Sequence, residues 1–539
     1  MQELTPIRRF ALAALIAGVF WFCYFSHLDA IGLVGPDEPR YTWVARDMAA
    51  TGDWVTPRLY GKPWFEKPIL YYWGAALAYR GLGDTEIAAR LPSAVAAALA
   101  TLALGWAALR LYGAGTAIAT LLILPTTVGM TGFGRAATPD MLFNAMLALA
   151  LVAASHSLGL TDTTRPCRLS LMAFGAFLGA ATLAKGPAAV VLAGGSATLW
   201  ALATRRWRNV FWLAHPWAML TFAVVALPWY VACAMRNPEF VDVFLISHNF
   251  ERFFTPVFQH VQPFWFFGPT VLAGILPWTI LLLGVGRDAV RAWREKRWRD
   301  STGFFFACWV IFPVVFFSLS KSKLPGYVLP VIPALVLLLA RSIARLIEEK
   351  HFLARWLLAG IGITFMALAV GAGEWLRAQA GEFEVGQVEN LIARTLILLI
   401  AGIIPVLIAV FRKSWLGVWV CALLFAITVE TINRRILPDW ELYVSARPVG
   451  RFLRVSPEAA NETCVFRLHR AWKFGLNYYA ARELPEWTPL KPQPVPVLTN
   501  PAGENELRSL GVPLEIVSGA WNKREAYLVV IEDTSHRLR

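Results

Sequence analysis

Residues 90–112 read RLPSAVAAALATLALGWAALRLY, an apolar run whose charged side chains stand only near its two ends. A helix needs about 20 mostly apolar residues to cross the hydrocarbon core of a bilayer. Similar runs recur along most of the chain. They predict an α-helical polytopic membrane protein with about thirteen transmembrane helices, near residues 10–28, 90–112, 115–131, 138–160, 169–186, 187–204, 209–234, 263–286, 303–320, 325–346, 354–373, 391–411 and 414–433.

The composition excludes most soluble classes of protein. Of the 539 residues, 57% are hydrophobic and only 16% are charged, whereas soluble domains are nearer a quarter charged. The formal net charge of +14 would indicate nucleic-acid binding in a soluble protein. Together with 24 Trp and 34 Phe it fits a bilayer better, and we expect no nucleic-acid partner. The cysteines are scattered, which is typical of small buried apolar residues.

The distribution of Lys and Arg between loops predicts the orientation of the chain. Short cytoplasmic loops are enriched in these residues, and the densest basic stretch is 287–299. An N-terminus on the cytoplasmic side puts that stretch inside. It puts outside a long loop at 29–89, several shorter loops and the tail from about 437. In a bacterium, these outer segments would face the periplasm across the inner membrane.

The tail predicts a second domain. It contains strand-like runs at 464–468, 494–498, 514–517 and 526–531 and a predicted helix around 504–510, a mixture that indicates a small soluble α/β domain. We therefore divide the chain into a transmembrane domain, 1–436, and a periplasmic C-terminal α/β domain, 437–539.

The long outer loop contains two predicted interfacial helices. In G-P-D-E-P-R-Y (35–41), Asp37 is a good N-cap for a helix whose apolar face carries residues at helical spacing. A second helix is predicted to begin at Pro68. Capping needs only one acid, so the adjacent carboxylates of Asp37 and Glu38 suggest a chemical role for one of them. The apolar face consists of Tyr41, Val44, Ala45 and Met48, and the aromatic anchors of the second helix are Tyr71, Tyr72 and Trp73.

The other outer loops each place a cation or a carboxylate close to a helix end. Lys185 stands alone between two apolar stretches, where an ionisable side chain is a functional candidate. The alternative is that its long side chain reaches the interface. Because two anionic lipid substrates would need fixed positive charge, these loops suit a transfer reaction between such lipids. The candidate residues are Arg135, Asp140, Lys185, His248, Glu251, Arg252, Lys321, Lys323 and Tyr327.

Six motifs in order resemble the GT-C glycosyltransferases that use polyprenyl-phosphate sugars. H-N-F-E-R-F (248–253) makes the chain more similar to the bacterial ArnT family, the 4-amino-4-deoxy-L-arabinose lipid A transferases. The resemblance covers residues 10–433, with a soluble tail where the family has one. The motifs are G-P-D-E-P-R-Y, W-F-E-K-P-x-L-Y-Y-W, A-A-R-L-P-S, T-P-D, L-A-K-G-P and S-K-S-K-L-P-G-Y.

The resemblance implies a membrane glycosyltransferase with an inverting reaction. Aminoarabinose would move from undecaprenyl phosphate to lipid A phosphates at the periplasmic face, which gives resistance to polymyxin and other cationic peptides. We expect a monomer. The implied catalytic residues are Asp37, Asp140 and Lys185; the substrate-binding candidates are Glu38, Tyr41, Lys67, Arg135, Arg252, Lys321, Lys323 and Tyr327; and Glu66 with His248 could hold a divalent cation, Zn or Mg.

The role of Asp37 depends on the acceptor. A hydroxyl acceptor needs a base, whereas a phosphate acceptor is already largely ionised near pH 7. The resemblance therefore favours Asp37 as an organiser of charge, with general base as the second reading.

Two alternative functions stay open at this level. Another GT-C enzyme, such as a protein O-mannosyltransferase, would share most of the motifs. A lipid transporter is disfavoured, because the ionisable residues gather at one predicted membrane face rather than at the midplane and no two halves look like a repeat.

Overall fold

The fold is that of a computed structural model, which describes residues 6–160, 166–244, 261–378, 403–404, 414–488, 495–516 and 527–531. The chain divides into two compact units. The first comprises Met1–Ser26, Phe65–Tyr71 and Arg90–Thr431, and the second comprises His27–Trp64, Tyr72–Ala89 and Ile432–Arg539.

Helices make up most of the described residues. In chain order they are α1 (Pro6–Phe20), α2 (Asp37–Thr51), α3 (Leu70–Leu82), α4 (Glu86–Tyr112), α5 (Ala114–Ile123), α6 (Val128–Gly134), α7 (Pro139–Ser157), α8 (Arg168–Lys185), α9 (Ala188–Thr204), α10 (Trp207–Val210), α11 (Pro216–Arg236), α12 (Phe267–Gly274), α13 (Leu282–Arg294), α14 (Thr302–Ser318), α15 (Ile332–Glu348), α16 (Leu353–Ala378), α17 (Ser414–Thr431), α18 (Leu437–Val444), α19 (Arg447–Val455), α20 (Pro457–Glu462), α21 (Arg470–Ala480) and α22 (Pro501–Ser509).

Most residues of the candidate membrane-spanning helices belong to the first unit. Within the described residues, six helices are long and apolar enough to cross a bilayer, and two bent helix pairs raise the number to eight if each pair is one span. The protein is therefore a multi-pass helical membrane protein. The total of thirteen spans stays a prediction, and most of the predicted span at 391–411 lies outside the described residues.

The predicted span at 263–286 is not a continuous helix. Its two halves, Phe264–Gly274 and Trp278–Arg294, meet at an angle of 105°. Pro277 lies at the break, and proline cannot donate the backbone hydrogen bond that a continuing helix requires. The predicted span at 115–131 is bent as well, by 59° between α5 and α6.

Glycines allow α8 and α11 to cross at very short range. A Cβ atom added to Gly175 would lie 2.0 Å from the carbonyl oxygen of Ala218, and one added to Gly179 would lie 3.0 Å from that of Phe222. Lipid tails are as apolar as the helix surfaces, so helices associate in a bilayer mainly through close packing, which small residues permit. Because Gly175 and Gly179 have no side chains, α8 packs directly against the backbone of α11.

A mixed sheet organises the C-terminal part of the second unit. Its strands are β3 (Cys464–Val465), β4 (Val495–Thr499), β5 (Leu514–Ile516) and β6 (Tyr527–Ile531), and a separate hairpin joins β1 (Arg58–Leu59) to β2 (Lys62–Pro63). The order is β3-β4-β6-β5, with β3 and β4 parallel and the other pairs antiparallel. The four strands and α22 overlap the four strand-like runs and the helix predicted in the tail.

Both faces of this sheet are covered. Successive side chains point to opposite faces of a strand, so Cys464 packs with Leu507 of α22, while Val465 packs with Leu453 of α19 and Leu476 of α21. The result is a helix–sheet–helix arrangement. The unit also includes residues 27–64 and 72–89, which the division at residue 436 assigned to the transmembrane domain; that division stays a prediction.

Protein covers the apolar faces of the two predicted interfacial helices. Tyr41, Val44, Ala45 and Met48 of α2 are at most 3% exposed, and the ring of Tyr41 packs against Tyr72. Tyr71 and Tyr72 are buried too, and the indole N–H of Trp73 donates to the carbonyl of Trp54 at 2.8 Å. Tyr71 and Tyr72, predicted as membrane anchors, are therefore core residues, because period and aromaticity alone do not distinguish a lipid-facing side from a protein-facing one.

We expect Gly175→Ala to destabilise the protein. The new methyl group would collide with backbone atoms of α11, and overpacking of this kind costs about 1–3 kcal/mol. The matched control is Gly194→Ala on α9, where a Cβ atom would meet nothing within 4 Å. Thermal unfolding in one detergent should give a lower midpoint for Gly175→Ala alone; equal midpoints would contradict the close crossing.

Candidate functional site

Local sequence places Asp140 and Lys185 at helix ends. Thr138 is extended and Pro139 opens α7, so Asp140 lies in its first turn, where the helix dipole favours a negative charge. α8 ends with Lys185, and Gly186 terminates it with φ +91°. A cation is favoured at that end.

The packing of α7 against α8 brings these two ends together. The ammonium group of Lys185 donates a hydrogen bond to Oδ1 of Asp140, and the side chains are 17% and 20% exposed. The ammonium also lies 5.3 Å from the centre of the Tyr327 ring and 5.7 Å from that of Phe143. Aromatic faces attract cations at such distances. Lys185 is thus held by an ion pair and two aromatic rings.

Tyr327 reaches this pair from a 3-10 helix, Pro325–Val331. A Cβ atom added to Gly326 would lie 3.0 Å from Oδ1 of Asp140 and 3.1 Å from the Phe133 ring. The Tyr327 ring packs on that of Phe317, with centres 5.1 Å apart. The L-P-G-Y sequence therefore places Gly326, which has no side chain, against Asp140.

The two lysines of the preceding loop differ in environment. Lys321 is exposed, whereas Lys323 is 7% exposed and donates to the carbonyl oxygen of Ser320 at 2.6 Å. Within the described part of the chain, Lys323 has no carboxylate partner. A buried cation favours a nearby anion, so Lys323 is the stronger candidate of the two for binding an anion.

Of the remaining candidates in the first unit, the structure describes three. Glu66 and Lys67 face each other, with 3.6 Å between the carboxylate and the ammonium, and both side chains are mostly buried. Arg135 donates to the carbonyl oxygen of Ser26 at 2.6 Å. His248, Glu251 and Arg252 lie outside the described residues.

The metal site proposed for Glu66 and His248 stays a prediction. In the ranges that the structure describes, no three His, Cys, Asp or Glu side chains are grouped as metal ligands. Glu66 alone would supply one ligand, and its carboxylate already faces an ammonium group. One carboxylate is too few ligands to bind a divalent cation, so Glu66 would need further ligands.

In the second unit, the adjacent acids of α2 have different environments. Asp37 is the first residue of the helix rather than its N-cap, a position that Pro36 occupies; the predicted capping role is therefore wrong. Glu38 is 5% exposed, and its carboxylate accepts a hydrogen bond from the backbone N–H of Val34 at 2.8 Å. The Asp37 side chain is 51% exposed. Glu38 fixes the preceding loop, while Asp37 stays accessible.

Arg40 holds one oxygen of Asp37. Its guanidinium donates to Oδ1 one helical turn away, and its side chain is only 5% exposed. The guanidinium carbon lies 5.4 Å from the centre of the Trp64 ring and 5.5 Å from that of Phe474. These aromatic contacts fix Arg40, and through it Asp37.

The structure therefore brings Asp140, Lys185 and Tyr327 together in the first unit and sets Asp37 beside Arg40 in the second. Glu38, Tyr41 and Lys323 are all buried. For Glu38 and Tyr41, this burial favours positioning roles over direct substrate contact. Sequence reasoning missed Arg40, although its spacing of three residues from Asp37 on a predicted helix was a signal for the ion pair.

A family model supports the resemblance drawn from the motifs. The model of the dolichyl-phosphate-mannose-protein mannosyltransferases matches residues 10–244. This range contains Asp37, Asp140 and Lys185.

Curated relatives are more specific. The chain is 34% identical to an undecaprenyl phosphate-α-4-amino-4-deoxy-L-arabinose arabinosyl transferase of Aeromonas salmonicida, over 68% of this chain and 67% of that protein. It is 33% identical to the protein of the same name from Edwardsiella ictaluri, over 62% of this chain and 60% of the relative. The match thus spans about three fifths of that relative's length.

A solved structure has the same fold. The crystal structure of ArnT from Cupriavidus metallidurans bound to undecaprenyl phosphate superposes with a TM-score of 0.75, at 24% identity, over 98% of both chains. The GT-C fold inferred from the motifs is thereby confirmed. With this fold and the identity to the Aeromonas protein, the chain belongs to the family of the undecaprenyl phosphate-aminoarabinose arabinosyl transferases.

Proposed function

We propose that this protein transfers 4-amino-4-deoxy-L-arabinose from undecaprenyl phosphate to phosphate groups of lipid A, with inversion at the sugar. Family membership supports the donor and the sugar, because the relatives' names specify both. We place the reaction at the periplasmic face of the bacterial inner membrane, on the predicted orientation of the chain, and expect the protein to act as a monomer.

The observation that carries the proposal is the Lys185–Asp140 pair at the end of two apolar helices. A cation fixed by a carboxylate and two aromatic rings is preorganised, so little reorganisation is needed when negative charge develops nearby. In the transfer, the bond from the anomeric carbon to the donor phosphate breaks and one to the acceptor phosphate forms. The departing undecaprenyl phosphate gains charge that Lys185 would stabilise.

The other cations would bind the donor phosphate. Lys323 is buried against a carbonyl group, and its charge would be compensated when a lipid phosphate arrives. Lys67, Arg252 and Tyr327 are the positions that the family resemblance assigns to this phosphate. Ammonium and guanidinium groups bind phosphate through charge-assisted hydrogen bonds.

Asp37 would organise charge rather than remove a proton. An ionised phosphate acceptor needs no base, and Arg40 already holds Oδ1 of Asp37. The exposed side of the carboxylate could then receive the cationic amine of the sugar.

A protein O-mannosyltransferase is the second candidate, because the mannosyltransferase model matches residues 10–244. Its hydroxyl acceptor would require a general base, and Asp37 would be that base. Mass spectrometry separates the two functions, since only the first adds an aminopentose to lipid A.

Cells that express the protein should yield lipid A carrying an added aminopentose, and Asp37→Asn should abolish the addition. The amide keeps the shape of the side chain but loses the charge that pairs with Arg40. Lipid A mass spectra, with protein levels measured in the same membranes, provide the test. Asp47→Asn, on the same helix, is the matched control and should retain transfer; modified lipid A in the Asp37→Asn strain would remove Asp37 from the mechanism.

Lys185→Met should lower the rate of transfer by roughly 100-fold or more, which is the size of effect that loss of one preorganised electrostatic group has on a transition state. Lys185→Arg keeps the charge and should retain more activity, although a planar guanidinium does not reproduce a point charge.

Initial rates with purified variants in detergent would measure this difference. Equal losses in the Met and Arg variants would show that shape, and not charge, is what matters at this position. An unaffected Met variant would exclude Lys185 from the reaction.

A further inference from the structure

The loop that precedes Asp37 is buried without regular secondary structure. Gly32, Leu33 and Val34 form no helix or strand, and Gly32 and Leu33 are buried. Buried backbone N–H groups need hydrogen-bond acceptors. In this loop, three consecutive N–H groups find theirs on side chains.

Two of these acceptors come from the C-terminal part of the chain. The N–H of Gly32 donates to Oε2 of Glu441 at 3.1 Å, and the N–H of Leu33 donates to the hydroxyl of Tyr479 at 2.7 Å. The third acceptor is Glu38, which takes the N–H of Val34. The residue next to Asp37 is thus linked through the loop to α21.

Both C-terminal acceptors are themselves fixed. The Tyr479 hydroxyl accepts from Leu33 and donates to Oε1 of Glu86 at 3.1 Å. The Glu441 carboxylate receives two hydrogen bonds from the Arg447 guanidinium, at 2.8 and 2.6 Å. Charge-assisted bonds of this forked kind are geometrically specific, so the acceptors are rigid.

The loop lies too close to these groups for any side chain at residue 32. A Cβ atom on Gly32 would lie 2.1 Å from Oγ of Ser445 and 2.8 Å from the Tyr479 hydroxyl. The φ of Gly32 is not in the left-handed region, so the glycine is required by close approach and not by its conformational freedom.

We propose that Tyr479 and Glu441 are positioning residues for the transfer reaction, which hold the loop at Gly32 and Leu33 so that Asp37 presents its carboxylate in one orientation. The inference rests on the proposed function, in which Asp37 organises charge. From Leu33 the chain reaches Asp37 in four residues, through a turn at Gly35 and Pro36. The Glu38–Val34 hydrogen bond ties that turn to the helix.

Tyr479→Phe is the test, because it removes one hydroxyl and leaves the ring in place. Glu86 keeps its contacts with Arg447 and Arg451, so no carboxylate is stranded. We expect kcat for transfer to fall about tenfold, the effect of about 1.4 kcal/mol on a barrier, with little change in KM for the lipid donor. Hydrogen–deuterium exchange in the full-length protein should become faster at residues 28–37.

Tyr478→Phe is the matched control on the same helix. The Tyr478 hydroxyl is also buried and bonds to Tyr79 at 2.8 Å and Asp84 at 3.0 Å, so its hydrogen bonds go to residues other than 32–34. Burial raises the pKa of Tyr478 well above its ordinary value, so this hydroxyl stays protonated as that of a structural tyrosine should. The control should lose similar thermal stability, keep kcat and leave exchange at 28–37 unchanged.

The outcomes separate positioning from general stability. Equal losses of kcat in both variants, or unchanged exchange at 28–37 in Tyr479→Phe, would overturn the proposal. If the wild-type protein transferred no aminoarabinose, the proposed function would fail, and the exchange comparison alone would still decide whether Tyr479 holds the loop.

Discussion

The ion pair between Lys185 and Asp140 joins the ends of two apolar helices of the first unit. Lys185 and Asp140 end and begin apolar helices, where an isolated charge would be poorly solvated. Each has the sign that its helix terminus favours, and the two meet because α7 and α8 pack with those termini at the same end. The close crossing of α8 with α11 at Gly175 fixes the helix that carries the lysine. The position of the Lys185 ammonium is thus a consequence of helix packing.

In the second unit, the groups that must find partners are backbone N–H groups. A buried loop without regular structure must find hydrogen-bond acceptors for its N–H groups, and here carboxylate and hydroxyl side chains supply them. The two neighbouring acids of α2 therefore have different roles. The Glu38 carboxylate accepts the N–H of Val34, whereas Asp37 binds Arg40 through one oxygen and its side chain stays about half exposed.

The sequence pattern predicted those features that interactions between neighbouring residues determine. Apolar runs located most helices, and the T-P-D and K-G-P motifs located their charged ends, because proline, glycine and helix dipoles act within a few residues. Pro277 also indicated the break, although the length and hydropathy of residues 263–286 favoured a continuous span. Contacts between distant residues were not predictable: Glu441 lies 409 residues from Gly32, and no periodicity encodes that pairing. The same limit made Tyr71 and Tyr72 look like membrane anchors.

The surroundings of Asp37 bear on the kind of acceptor. A general base must be free to approach a hydroxyl and take its proton, whereas this carboxylate is tethered through Oδ1 to a buried guanidinium that two aromatic rings hold in place. Such a tether fixes the direction of a negative charge. That suits an acceptor that is already an anion and a sugar that carries an amine, because the carboxylate then has a cation to orient and no proton to move.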